Sequence, residues 1–209
     1  VTDNHLDTVN YSDIMDLKSD YLIIDAGDAT AGGIGASTDA IETYATTIAL
    51  SGGADGNYLN GWSALTVDTV SMGYWVVQSD GTVSALSTVS ESDVETSGDG
   101  NIILRALNGD ITLNEGAVVN GSVRAGGSGD IRLEAAASGS EITVNADVSS
   151  GTGNVAFLAE RGVSQSAGTT ISTAGSGDVV IQTISGTGDE FTTMASTASI
   201  ETVDGHVYI

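Results

Sequence analysis

Two stretches of this chain, GTGNVAFLA from Gly151 and GSGDVVIQT from Gly175, repeat one order of glycine, polar and apolar residues 24 positions apart. A fixed period of this size constrains the fold more than composition does, because it belongs to architectures that stack one supersecondary unit. Anchoring on a glycine followed by a small polar residue or histidine finds Asn101, Asp130, Asn154, Asp178 and His206, at steps of 29, 24, 24 and 28 residues. After each anchor the apolar residues alternate: Ile102, Leu104 and Ala106; Ile131, Leu133 and Ala135; Val155, Phe157 and Ala159; Val179, Ile181 and, at the same offset, Thr183; Val207 and Ile209. Period-two alternation is the strand signal, and its return at one offset places these side chains on a single interior.

A second strand follows in GDITLNE and SEITVNA, through Ile111 with Leu113 and Ile142 with Val144. A third precedes the next anchor at Val123, Val148, Ile171 and Ile200. Each unit therefore predicts three short strands separated by glycine-containing corners, one coil of a parallel β-helix whose backbone groups pair between repeats. An antiparallel sandwich is the competing all-β architecture, but hairpin strands have no reason to share a sequence at 24 residues. The 28 glycines, absent proline and 5% aromatic content agree with extended structure packed from small and β-branched side chains.

The first part of the chain is less regular, and the reading divides it into residues 1–96, irregular coils with an inserted hairpin, and residues 97–209, regular coils of one continuous solenoid. Gly56 with Asn57 offers an earlier anchor 44 residues before Asn101, and the excess suits a hairpin around GYWVVQSDGTVSAL with its Ser79-Asp80-Gly81 turn. In STDAIETYATTIAL, Asp39 and Glu42 are placed as a capping box for a short helix, whereas the β-branched residues favour a strand, which is the expectation adopted.

The units GDGNIILRALNGDITLNEGA, GSGDIRLEAAASGSEITVNADVSSGTGN and GIGASTDAIETYATTIAL resemble the repeats of filamentous-haemagglutinin-like exoproteins, over roughly residues 20 to 209. That resemblance implies a right-handed parallel β-helix within a long exported stalk or adhesive fibre of a Gram-negative bacterium. The 24 to 29 residue steps depart from the shorter coils of such shafts, and secretion-domain motifs are not found here.

Charge and residue inventory narrow the function. A net charge of -23 opposes binding to nucleic acid or an anionic membrane. Without cysteine there is no disulfide, thiolate metal site or cysteine nucleophile. The basic residues are Lys18, Arg105, Arg124, Arg132 and Arg161, and Arg105 falls at the repeat position of Glu134, predicting an outward cross-strand ion pair. His5 and His206 are too isolated to assemble a triad or a transition-metal site. Clustered carboxylates such as Asp25 with Asp28, or Asp99 near Asp110, are candidates for weak incidental calcium binding. Ile103, Leu158, Val180 and Tyr208 are expected to point outward, and Trp62, Tyr74 and Trp75 are candidate contact residues in the irregular half.

The sequence therefore predicts an all-β, right-handed parallel β-helix of roughly seven or eight coils, acting as a structural or adhesive segment of an exported surface protein. No catalytic, cofactor-binding or metal residue is assigned, and the expected localisation is extracellular or cell-surface. The expected partner is a host or neighbouring cell surface, carbohydrate included, with neither nucleic-acid binding nor membrane insertion. The final strand at Val207 and Ile209 is expected to leave an open edge for end-to-end association or further coils of a longer parent. A carbohydrate-active β-helix enzyme, lyase or hydrolase, is the alternative, and a calcium-dependent binding module the third reading.

Overall fold

The structure, a computed structural model, describes residues 15–26, 31–117, 121–184 and 191–209, and among these it is all-β with no helix. Two long parallel sheets carry the chain. Each repeat contributes a strand to three columns. The first column stacks Gly56–Gly61, Ile102–Ala106, Ile131–Ala135, Val155–Ala159, Val179–Thr183 and Val207–Tyr208, all parallel. The second stacks Leu65–Val67, Ile111–Leu113, Glu141–Val144, Gly162–Gln165 and Phe191–Met194. The third stacks Val94–Thr96, Val123–Ala125, Val148–Ser150, Thr170–Thr173 and Ser199–Thr202. The hydrogen bonds of these long parallel sheets run between repeats, an arrangement consistent with a parallel solenoid.

The earliest layers are built differently. Thr47–Gly52 is one long strand that pairs with Leu65–Val67 at its start and with Val94–Thr96 at its end, joining the second and third columns into a 12-stranded sheet. Tyr21–Asp25 pairs on its other side, while Gly33–Ile34 and Ile41–Thr43 both pair with Gly56–Gly61 in the eight-stranded sheet. Asp39 and Glu42 accordingly cap no helix: the backbone of Asp39 closes a turn on Ala36, and Glu42 lies within the strand Ile41–Thr43.

The register agrees with the repeat alignment. Ile102, Ile131, Val155 and Val179 stack, as do Leu104, Leu133, Phe157 and Ile181, and all are buried in one contiguous core with the inward residues of the other columns. Two expectations at the last layers need correction. Thr183, over Ala159, is half-buried, and Val207, although paired with Val179 as the alignment places it, is exposed like Ile209, with no described strand on their outer side. The anchor proposed at Asn57 is also displaced by one residue. Asn57 pairs with Ile102, faces the core, and donates from Nδ2 to the Glu95 carbonyl (3.0 Å), so Gly56 occupies the position of Asn101.

Burial fixes the expected cost of core damage. Phe157 is fully enclosed between Leu133 and Ile181, and Phe157→Ala should cost about 3–5 kcal/mol through the cavity it leaves. Gln182→Ala, one position further along and exposed, should cost less than about 0.5 kcal/mol. Urea denaturation of both variants checks the register, which is refuted if the two are equally mild.

Candidate functional site

The corner residues that mark the repeat turn out to be structural acceptors. Asn101 Oδ1 accepts the Asp130 amide (2.8 Å), Asp130 Oδ1 accepts the Asn154 amide (2.7 Å) and Nδ2 (3.0 Å), and Asn154 Oδ1 accepts the Asp178 amide (2.9 Å). Asp178 Oδ1 continues the ladder by accepting the His206 amide (2.8 Å), with His206 Nδ1 at 3.0 Å. Asp99 and Asp110, expected near one another, are separate members of the same scheme: Asp99 accepts the Ser128 amide (2.8 Å) and Asp110 the Glu141 amide (2.9 Å). These bonds to backbone N–H hold Asp99 and Asp178 below the usual carboxylate range. Among the described residues no group of three carboxylates or histidines is placed to hold a metal ion. His5 and Asp28 lie outside the described residues.

The cations are engaged as well. Arg105 Nε meets Glu134 at 3.0 Å in the predicted cross-strand pair, and Arg132 approaches the other oxygen of Glu134 at 2.7 Å, a second partner that the spacing did not reveal. Arg161 pairs with Glu141 at 2.6 Å, and Arg124 with Glu95 in the adjacent strand. Lys18 lies over the Tyr44 ring, 5.7 Å from its centroid, and Trp62 packs edge-on against that ring at 6.3 Å. Ile103, Leu158 and Val180 sit half-buried on the outer face and Tyr208 is exposed.

The feature that departs from the stack is the hairpin. Val70–Tyr74 and Ser87–Glu91 pair antiparallel between the second and third columns of one layer, and a Val77 to Val83 bridge extends the ribbon beyond them. Its turn is tight because Gly81 takes φ 81° and Asp80 Oδ1 accepts both the amide (2.9 Å) and the hydroxyl (2.7 Å) of Thr82. Trp75 is 61% exposed and Val77 70%, with Tyr74, Val83 and Leu86 exposed around them. These exposed apolar side chains set the ribbon apart from the outer faces of the stack.

At the hairpin base, Thr69 Oγ1 and Ser92 Oγ lie 2.7 Å apart and both accept the Ala117 amide, at 2.6 and 3.1 Å. Beside them the buried Asp93 accepts the Gly116 amide through Oδ1 at 3.0 Å. Burial pushes the Asp93 carboxyl up to about 6, and Glu95, Asp68 and Glu115 add to this against the Gly116 hydrogen bond. Asp93 was missed in the sequence, although Val94 stands seven residues before Asn101, as Val123 stands before Asp130, which marks it as a third-column strand. Next to the base, the outward side chains of the third column line a groove of about 780 Å³, with Asp25, Ser51, Glu95, Arg124, Ser149 and Ser172 along it.

Comparison with family models, with curated proteins and with solved structures gives no match to this chain.

The corner ladder has a measurable signature. Asp130→Ala removes two accepted hydrogen bonds and should cost about 1–3 kcal/mol, whereas Asp130→Asn keeps an acceptor and should stay within about 0.5 kcal/mol of the parent in urea denaturation. Because Asp99 and Asp178 have lowered folded values, their contribution is present above the usual carboxylate range and lost as pH falls below it.

Proposed function

We propose that this chain is a structural and adhesive segment of a large exported bacterial surface protein, a right-handed parallel β-helix of roughly seven or eight coils that presents the hairpin of Val70–Tyr74 and Ser87–Glu91 to another cell surface. The hairpin carries the reading: with Val70 buried at its base, the ribbon leaves Tyr74, Trp75, Val77, Val83 and Leu86 exposed beyond a highly acidic stack, apolar surface available for contact. The likeness to filamentous-haemagglutinin-like repeats supports the same assignment. So does the use of side chains, since the arginines and corner carboxylates bind neighbouring layers.

A closed coil is supported by how the third column meets the next first-column strand. Thr96 Oγ1 donates to the Gly100 carbonyl (2.6 Å) and Thr173 Oγ1 to the Gly177 carbonyl (2.8 Å), so the end of one coil is tied to the corner that begins the next.

The groove favours a second reading as a carbohydrate-active β-helix. Glu95, Arg124 and Asp25 place acidic and basic groups on one outward stripe, the grouping that proton abstraction from a polysaccharide requires. Against it stand the Arg124 to Glu95 ion pair and the repulsion of an anionic polymer by the -23 charge.

Beads coated with the full chain should attach to cultured cells, and a Tyr74→Ala, Trp75→Ala double variant should attach at least roughly tenfold less at unchanged melting temperature. Equal attachment by the two proteins would refute the hairpin as the contact element. Incubation with acidic polysaccharides should release no unsaturated products; a rise in their absorbance that disappears in Arg124→Ala would replace the adhesive reading with the enzymatic one.

A further inference from the structure

The first-column strands end at a corner that continues their ladder by one residue. The Tyr44 amide donates to the Leu17 carbonyl (3.2 Å), that of Trp62 to Thr43 (2.8 Å), that of Leu107 to Gly61 (2.8 Å) and that of Ala136 to Ala106 (2.9 Å). Lys18, Tyr44, Trp62, Leu107 and Ala136 therefore stand over one another in successive layers. The last four each follow by two residues an outward strand position, Glu42, Asn60, Arg105 and Glu134, and residues two apart in a strand share a face. An apolar row thus runs along the stack beside a polar one. Tyr44 and Trp62 begin it, with ring centroids 6.3 Å apart and planes at 64°; Tyr44 is 39% exposed and Trp62 half-buried. The core is built without either ring.

The polar groups beside these rings are held in place with hydrogen-bonding capacity to spare. Asn60 Nδ2 donates to Glu42 Oε1 (2.9 Å), and its Oδ1 has no partner among the described residues. Arg105 meets Glu134 through Nε at 3.0 Å, which leaves its two terminal nitrogens without a partner among the described residues. Asn108, exposed just past the row, donates Nδ2 to the Trp62 carbonyl (3.0 Å) and keeps its own carbonyl oxygen. Lys18 brings three N–H donors over the Tyr44 ring, 5.7 Å from its centroid. In and beside these strands the cations Lys18, Arg105 and Arg132 stand against the carboxylates of Asp16, Glu42 and Glu134.

We propose that Tyr44 and Trp62 form a binding site for a neutral glycan, whose sugar rings lie along the row of residues 44, 62 and 107 and whose hydroxyls are held by Asn60, Arg105, Asn108 and Lys18. A sugar ring has an apolar C–H face and a rim of hydroxyls. The face meets the negative surface of an aromatic ring, and the rim needs both donors and acceptors. The two adjacent rows supply these separately and in parallel. Successive layers stand about 4.8 Å apart, close to the length of one pyranose ring, so linked sugars place one ring on each layer. Lys18 is exposed on a flexible stem, so it yields the Tyr44 face and keeps donors for the hydroxyls. An anionic glycan would meet the -23 of the chain, and a cationic ligand would meet the Lys18 ammonium over the ring. The site lies at the corner between the first and second columns, whereas the hairpin leaves between the second and third. Glycan binding here is independent of the hairpin, and only its use in attachment rests on the adhesive reading.

The chain has two tryptophans, so Trp75→Phe leaves Trp62 as the single reporter, and titrating this full-length variant with neutral cello-, malto-, manno- and galacto-oligosaccharides tests the site by fluorescence. At least one of the four should give a saturable change in Trp62 emission with a Kd at or below about 1 mM. In the same background Tyr44→Ala should weaken that binding at least roughly tenfold at unchanged melting temperature, while Tyr44→Phe, which keeps the ring, should bind as the parent does. Trp62→Ala, followed by calorimetry because the reporter is gone, should show a comparable loss. Absence of a saturable response to all four up to about 10 mM, equal binding by Tyr44→Ala, or tighter binding of oligogalacturonate or heparin fragments than of every neutral chain each overturns the site. The Tyr74→Ala, Trp75→Ala double variant also keeps Trp62 alone and should bind the same sugar as strongly as Trp75→Phe, so failure of the hairpin in cell attachment and failure of the glycan site are read separately.

Discussion

At the corners before the first-column strands, the backbone of one layer rests directly on the backbone of the layer below, and the other contacts follow from that approach. A Cβ added to Gly129 would collide with the carbonyl of Gly100, one on Gly153 with Gly129, one on Gly177 with Gly153, and one on Gly205 with Gly177. The obstruction is backbone on both sides, so no rotamer change relieves it, and glycine is required there for closeness rather than for unusual dihedrals. With the layers locked at the spacing of a β-ladder, about 4.8 Å, each following residue falls over its equivalent. That superposition puts Phe157 on Leu133 and Asn154 over Asp130.

The acidity of the chain takes on a structural meaning in this frame. Where a strand begins, its first amide points at the layer below and finds no ladder carbonyl; a carboxylate at that corner accepts it. Asp110, Asp130, Asp147 and Asp178 each do this for the layer above, and Asp99 does the same for the turn amide of Ser128. A charged acceptor makes a stronger hydrogen bond than a neutral one, and stacking Asp alternately with Asn along the first-column corner keeps like charges from adjoining layers. The arginines act similarly across the outer faces, where Glu134 is shared by Arg105 and Arg132. Net charge and stack cohesion are thus partly the same groups.

What the sequence exposed was whatever the stacking makes periodic. The inward residues of 102–106, 131–135 and 155–159, the Arg105 to Glu134 pair and the hairpin insertion were all legible, because each depends on an offset from a repeated corner. Asn57 was misplaced because a Gly-Asn dipeptide also reads as an anchor, and only the pairing partner tells that Gly56 holds the corner. Thr47–Gly52 could not be foreseen as a strand shared by two columns, since it lacks the turn that divides them in later repeats. Asp93 escaped for a related reason: what makes it unusual is the loop of Gly116 and Ala117, which the chain reaches only after completing another first-column strand.

The placement of the hairpin follows from these constraints. An antiparallel ribbon returns to the point it left, so its insertion between Leu65–Val67 and Val94–Thr96 leaves both strands in register with their neighbours. It emerges where the layer beneath is the unbroken strand Thr47–Gly52, and it avoids the glycine-stacked corner, where an insertion would separate Gly100 from Gly129. The same freedom has a cost. A ribbon of two strands exposed on most of its surface gains little from burial and is marginal by itself, so its order depends on what grips its base. Here that grip adds hydroxyls, two amides and one carboxyl to the single buried Val70 that opens the first strand. The stack is tied by its ladders, the hairpin exposes apolar side chains beyond it, and the hydrogen bonds of Thr69, Ser92 and Asp93 to one loop join the two.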